Sequence, residues 1–92
     1  PMPDAALRKE LWESIFPKDT PVAGEVDALM LAQAFELSGA SIKNAALHGA
    51  LLAASEGMPV GMKHLLGGIE NEYGKQGKNF STSQRELLEA FL

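Results

Sequence analysis

His48 and His64 are the only imidazoles in this 92-residue chain, and cysteine is absent. Nucleophilic catalysis needs a thiol or hydroxyl beside a base that a third group orients. Neither histidine has a cysteine partner, and no acid stands at a diagnostic spacing to either, so both read as partly exposed helical residues. Two histidines without a third ligand make a weak metal set. Glu70 and Glu72 are two apart on a helix and point to different faces, whereas a general acid and base would have to converge. They read as solvated. The sequence has no glycine-rich phosphate loop ending in Lys and Ser or Thr, and no acidic cluster placed to hold magnesium, so these residues alone cannot run hydrolysis.

The feature that remains is in the backbone. In LSGASIKNAALHGALLAASEG, from Leu37 to Gly57, Ser38 is the strongest N-cap of the chain, and the Gly39-Ala40 step leads directly into a helix lined with alanine and glycine. Glycine permits a tight bend that a side chain would obstruct. Small side chains let the main chain approach a flat ligand, and a helix amino terminus is electropositive. Tight helix packing alone would also account for so many small residues.

Five helices are predicted around this step. The first starts at Asp4 and runs to about Phe16, where Pro17 ends it; Leu7, Leu11 and Ile15 form its buried stripe with Trp12 and Phe16 beside them, and Arg8 and Lys9 on the wetter side. Residues 17–24, with two prolines and a glycine, read as a loop. The second helix spans about Glu25 to Glu36, anchored by Val26, Leu29, Met30 and Phe35, with Glu25 and Asp27 favoured by its dipole. The third runs from Ser38 to about Glu56 and stops at Gly57; Ile42, Ala45, Ala46, Gly49, Ala50 and Ala53 recur on one face, which makes it the centre of the bundle. The fourth, from about Gly61 to Lys75, carries Met62, Leu65, Leu66, Ile69 and Tyr73, and its Gly67-Gly68 pair predicts a close contact or a kink. Ser81 with Gln84 has the form of a capping box and opens a last helix with Leu87, Leu88 and Phe91 on one face. That helix either packs back onto the bundle or docks on a neighbouring subunit. Strand signals are missing, so the fold is predicted to be all-α: four core helices plus a short carboxyl-terminal helix, with residues 1–80 as the domain and 81–92 as a tail.

Composition bounds the partners. Hydrophobic residues are 46% of the chain and charged ones 22%, a balance that supports one packed core. The net charge of −4, without a run of lysine or arginine, counts against nucleic acid as a direct partner. No apolar run approaches the roughly 20 residues that span a bilayer, which predicts no membrane partner. Absence of cysteine favours a reducing compartment and a cytoplasmic location. A start at Pro1 fits a processed chain or an excised fragment.

Taken in order, the segments DAALRKELWESIFP, EVDALMLAQAFELSGASIKNAALHGALLAA and HLLGGIENEYGKQGK resemble the carboxyl-terminal small helical (lid) domain of AAA+ ATPases over nearly the full chain. They are similar to that family's R-x-x-(I/L)-(W/L) helix, its vDl-x-x-LA … SGADI pattern and its fourth helix with trailing basic residues. The likeness is greatest to bacterial relatives of the meiotic/Cdc48-type branches. It implies that Gly39 and Ala40 lie against the adenine and ribose of ATP, with Ser41 beside them. Magnesium and the phosphates would be held by a large nucleotide-binding domain of the same parent chain, and the lid would pass its motion to the next subunit of a homo-hexameric ring. Where some branches place a phosphate-sensing arginine after Gly-Ala, this chain has Ser41, and Lys43 lies on a different helical face. The competing readings are an independent helical protein-interaction module without nucleotide and, against the acidic balance, a helix-turn-helix nucleic-acid binder.

Overall fold

A computed structural model describes residues 2–92; Pro1, the basis for a processed or excised start, lies outside them. The chain is all-α, with α1 Ala5–Ser14, α2 Ala28–Ala34, α3 Gly39–Glu56, α4 Met62–Lys75 and α5 Thr82–Ala90. Among the described residues the only β-type pairing is an isolated parallel bridge between Val22 and Val60. Among those residues, too, no helix is long and apolar enough to cross a membrane.

Local side-chain chemistry sets most of the helix starts. The side chains of Asp4, Asp27, Ser38 and Ser81 accept from Leu7, Met30, Ser41 and Gln84 N–H respectively, each satisfying a donor that the first turn leaves free. At the far end of α3, Gly57 takes the left-handed conformation (φ 67°), and its N–H returns to Ala53 and Ala54 carbonyls. Gln84 completes the predicted capping box by accepting from Ser81 N–H at 2.9 Å.

Two helices are shorter than predicted. α1 ends at Ser14 instead of Phe16, and Ser14 Oγ bonds back to Glu10 O at 2.9 Å; the residue before Pro17 is disfavoured in the helical region. α2 begins at Ala28 instead of Glu25, because Asp27 spends its carboxylate as the cap, and it ends where Phe35 turns extended.

α1 is also rotated from the predicted face. Arg8, assigned to the wet side, is buried at 7% exposure, whereas Leu7 is 46% exposed. The guanidinium explains the rotation: Nε donates to Ala32 O at 2.9 Å and Nη1 to Pro3 O at 2.7 Å, so the cation binds two carbonyls that would otherwise be short of donors. Leu29 of α2, an intended anchor, is likewise exposed.

The core is a contiguous cluster built on Leu31, Phe35, Leu37, Ile42, Met62, Leu65, Leu66 and Ile69, all fully buried. α3 and α4 form its tightest seam. A Cβ placed on Gly68 would lie 2.3 Å from Ala45 O, and one on Gly49 3.0 Å from His64 O, so the two backbones touch where glycine permits it. The predicted close contact at Gly68 is therefore present.

α5 packs onto the same core. Leu88 is buried, with Leu87 and Phe91 packed against the cluster. Gln84 Nε2 donates to Ala34 O at 2.7 Å and Arg85 pairs with Glu70 at 2.8 Å, which ties the tail to α2 and α4.

Candidate functional site

The predicted bend lies at the junction between α2 and α3. Leu37 is buried and pins the chain, Ser38 caps, and Gly39 and Ala40 are exposed. Ser38 Oγ takes the Ser41 N–H at 3.1 Å, and Ile42 N–H reaches Ser38 O at 3.0 Å. Among the described residues the N–H groups of Gly39 and Ala40 have no backbone or side-chain acceptor. Two donors at the positive end of an 18-residue helix thus face outward.

Gly39 borders a cleft of about 450 Å³ formed with Met2, Pro3, Asp4, Leu7 and Leu11. The exposed Leu7 finds its setting here: with Leu11 it gives the cleft an apolar wall next to bare main chain. A Cβ on Gly39 would meet only Leu11 Cδ1, at 3.8 Å, which is ordinary contact. Contrary to expectation, the bend itself does not require glycine.

Ser41 is turned the other way. It is 6% exposed, and its Oγ accepts from Gln76 Nε2 at 3.0 Å, joining the first turn of α3 to the end of α4. Of the three predicted residues, the structure therefore presents Gly39 and Ala40 to solvent and commits Ser41 to the fold. Lys43 is exposed two residues on.

The remaining predicted groups stand apart from this bend. His48 is half-buried on α3 beside a shallow surface that includes Glu70 and Lys75. Glu72, read as solvated, is 4% exposed; Lys75 Nζ donates to it at 2.9 Å and Asn44 approaches at 3.5 Å. Burial here follows from its place on the α3-facing side of α4, where the lysine's charge compensates the carboxylate.

His64 is buried as well, not partly exposed. Its Nδ1 accepts from Gly61 N–H at 2.9 Å, and Nε2 lies 2.7 Å from Glu56 Oε1, a pattern that assigns the hydrogen to Nε2 and makes the ring a strut between the α3 end and the α4 start. The hydrogen bond from His64 lowers the Glu56 carboxyl below its ordinary value; partial desolvation opposes this, and Lys63 at 3.5 Å adds to the lowering. A carboxylate with a depressed folded pKa contributes stability that is complete above its unfolded pKa and lost as pH falls through the folded one. Glu56→Gln should therefore be less stable than wild type at neutral pH, with the gap closing below the ordinary carboxylate range. Denaturant melts across that range check this, and a pH-independent gap would disprove the linkage.

A second cleft, of about 640 Å³, opens on the other side of α1. It went unread in the sequence, because its walls come from the 17–24 loop and from charged residues on separate elements. Trp12, in its wall, is 3% exposed, and its buried Nε1–H has no acceptor among the described residues.

Compared with known proteins, the chain matches no protein-family model and no curated protein sequence.

Proposed function

We propose that this chain is the helical lid of a cytoplasmic, ATP-driven remodelling enzyme, in which the Gly39-Ala40 bend forms the adenine-side wall of a nucleotide site. The observation that carries the reading is the bend itself: two outward N–H donors and exposed main chain beside the Leu7 and Leu11 wall. A glycine that the fold tolerates but does not need is suited to a ligand that must come close. ATP fits here through its base and ribose alone, since these residues offer no phosphate loop and no magnesium ligands. Those groups, and the chemistry of hydrolysis, belong to the proposed large domain. The lid would move with nucleotide state as a hinged body and pass that motion around a homo-hexameric ring.

Gly39→Ala should leave stability unchanged or raise it by up to about 1 kcal/mol, since alanine is the better helix residue and has room. In the wild type, millimolar adenosine triphosphate should move the Gly39 and Ala40 amide resonances, and Gly39→Leu should suppress those shifts by filling the cleft. Nucleotide-induced shifts confined to other residues, or ATP turnover by the purified chain, would sink the reading.

A rival reading, an independent interaction module, draws on a different observation. Leu47 and Leu51, one turn apart on α3, are 60% and 64% exposed. A phosphate-loop motif in the coding sequence upstream would separate the two, because only the lid reading requires one.

A further inference from the structure

The second cleft has features that the nucleotide reading leaves unused. Leu7 and Leu11 of α1, with its cap Asp4, border the Gly39 cleft, while Lys9, Trp12 and Glu13 of α1, with Phe16 just beyond its end, border this one, and within α1 the helical period puts the two sets on different flanks. Two independent observations converge on it.

The first is an unused strand edge. Val60 N–H donates to Pro21 O at 2.9 Å and Ala23 N–H to Val60 O at 2.8 Å, which makes residues 21–23 a short extended segment with one edge paired. Backbone groups alternate sides along such a segment, so the N–H and C=O of Val22 point away from Val60, and neither has a backbone partner among the described residues. Val22 is 40% exposed and lines the cleft.

The second is charge. Lys9 is already paired with Glu13 at 3.1 Å, whereas Glu25 and Asp27 on the same rim have no basic partner among the described residues. The rim is acidic, and the walls between these charges are apolar: Phe16, Val22, Val26 and Leu29.

We propose that this cleft receives an extended segment of a partner protein in which basic and apolar side chains alternate. The segment adds as a strand to Val22, seats its apolar side chains on Phe16 and Val26, and pairs its cations with Glu25 and Asp27. Main-chain pairing supplies the docking and the acidic rim supplies the choice of partner. The proposal goes beyond the nucleotide reading and does not depend on it.

The test uses the isotopically labelled chain and two acetylated, amidated heptapeptides, Val-Lys-Val-Arg-Val-Lys-Val and its counterpart with glutamate at each basic position. The basic peptide should shift the Val22 amide resonance saturably, with Kd of about 0.1–1 mM, and the acidic one should bind at least about tenfold more weakly. Val22→Pro removes the free N–H without touching the bonds to Val60 and should weaken binding about tenfold. Glu25→Gln deletes a rim charge and should weaken it several-fold, with helical content checked by circular dichroism. The proposal is overturned if the Val22 amide resonance stays fixed at millimolar basic peptide, if both peptides bind equally, or if folded Val22→Pro binds like wild type. Nucleotide effects are read at Gly39 and Ala40, so the failure of one reading is distinguishable from that of the other.

Discussion

Gly68→Ala should destabilise the fold by about 3 kcal/mol, because the new methyl meets a main-chain oxygen that cannot swing aside. The added Cβ would lie 2.3 Å from Ala45 O and 3.1 Å from Ala45 Cα, so α3 and α4 must separate along their tightest seam. Leu65, Leu66 and Ile69 are fully buried on α4, and Ile42 and Ala45 on α3; all would lose contact in that separation. For a domain of this size the loss corresponds to a fall in Tm of about 12–24 °C. Gly67→Ala, one residue away, supplies the control. Its Cβ would meet only Leu52 Cδ1 at 3.6 Å, in the side chain of a 38% exposed leucine, so that variant should gain up to about 1 kcal/mol from helix propensity. Thermal melts of the two variants decide the matter. Equal behaviour would mean that the seam relaxes freely and is not the rigid centre of the bundle.

The same pair of glycines shows what the sequence could and could not disclose. Both were expected to mark a contact or a kink, yet only Gly68 lies against the α3 backbone, while Gly67 meets α3 only at the Leu52 side chain, and the distinction depends on a helix rotation that no local pattern encodes. Elements whose ends are set by their own side chains were legible. Ser38 and Gly57 bound α3 as predicted, and the Ser81 and Gln84 capping box opens α5, because each motif is completed within a few residues. Faces governed by distant partners were not. Arg8 looked like a solvent residue until Ala32 O, 24 positions away, proved to be its acceptor. His64 and Glu72 are buried for similar reasons, with compensating groups supplied by Glu56, Lys75 and Asn44.

The candidate site divides along the same line. Exposure of Gly39 and Ala40 follows from a cap and a small-residue step, which are local and readable. The inward turn of Ser41 depends on Gln76, 35 residues further on, and could not be read. Trp12 was correctly placed in the interior, but its unsatisfied Nε1–H and the free edge of Val22 became apparent only once the 17–24 loop was folded against Val60.

Phe35→Ala should cost about 4 kcal/mol and loosen α5 before the rest of the fold. Phe35 is fully buried at the end of α2, where its ring stands edge-on to Tyr73 of α4 at 6.0 Å and tilts against Phe80, the residue before the α5 cap, at 5.3 Å. Tyr73 and Phe80 are in turn edge-on at 5.0 Å, so three aromatics from three parts of the chain form one cluster. Gln84 latches onto Ala34 O, the residue immediately before Phe35, and approaches Tyr73 Oη at 3.4 Å. Truncating Phe35 thus removes the aromatic contact that seats Phe80 and disturbs the carbonyl that holds Gln84. Leu88, flanked by Leu87 and Phe91, and the exposed Arg85–Glu70 pair are left to anchor the tail, and the ion pair contributes little. Hydrogen exchange should show the amides of α5 losing protection by a larger factor than those of α3. Leu47→Ala, at a side chain that is 60% exposed, should shift neither by more than about 0.5 kcal/mol. Uniform loss of protection across α3 and α5 would mean instead that the tail and the core unfold as one unit, with the aromatic cluster buried in a common interior and not acting as a clasp.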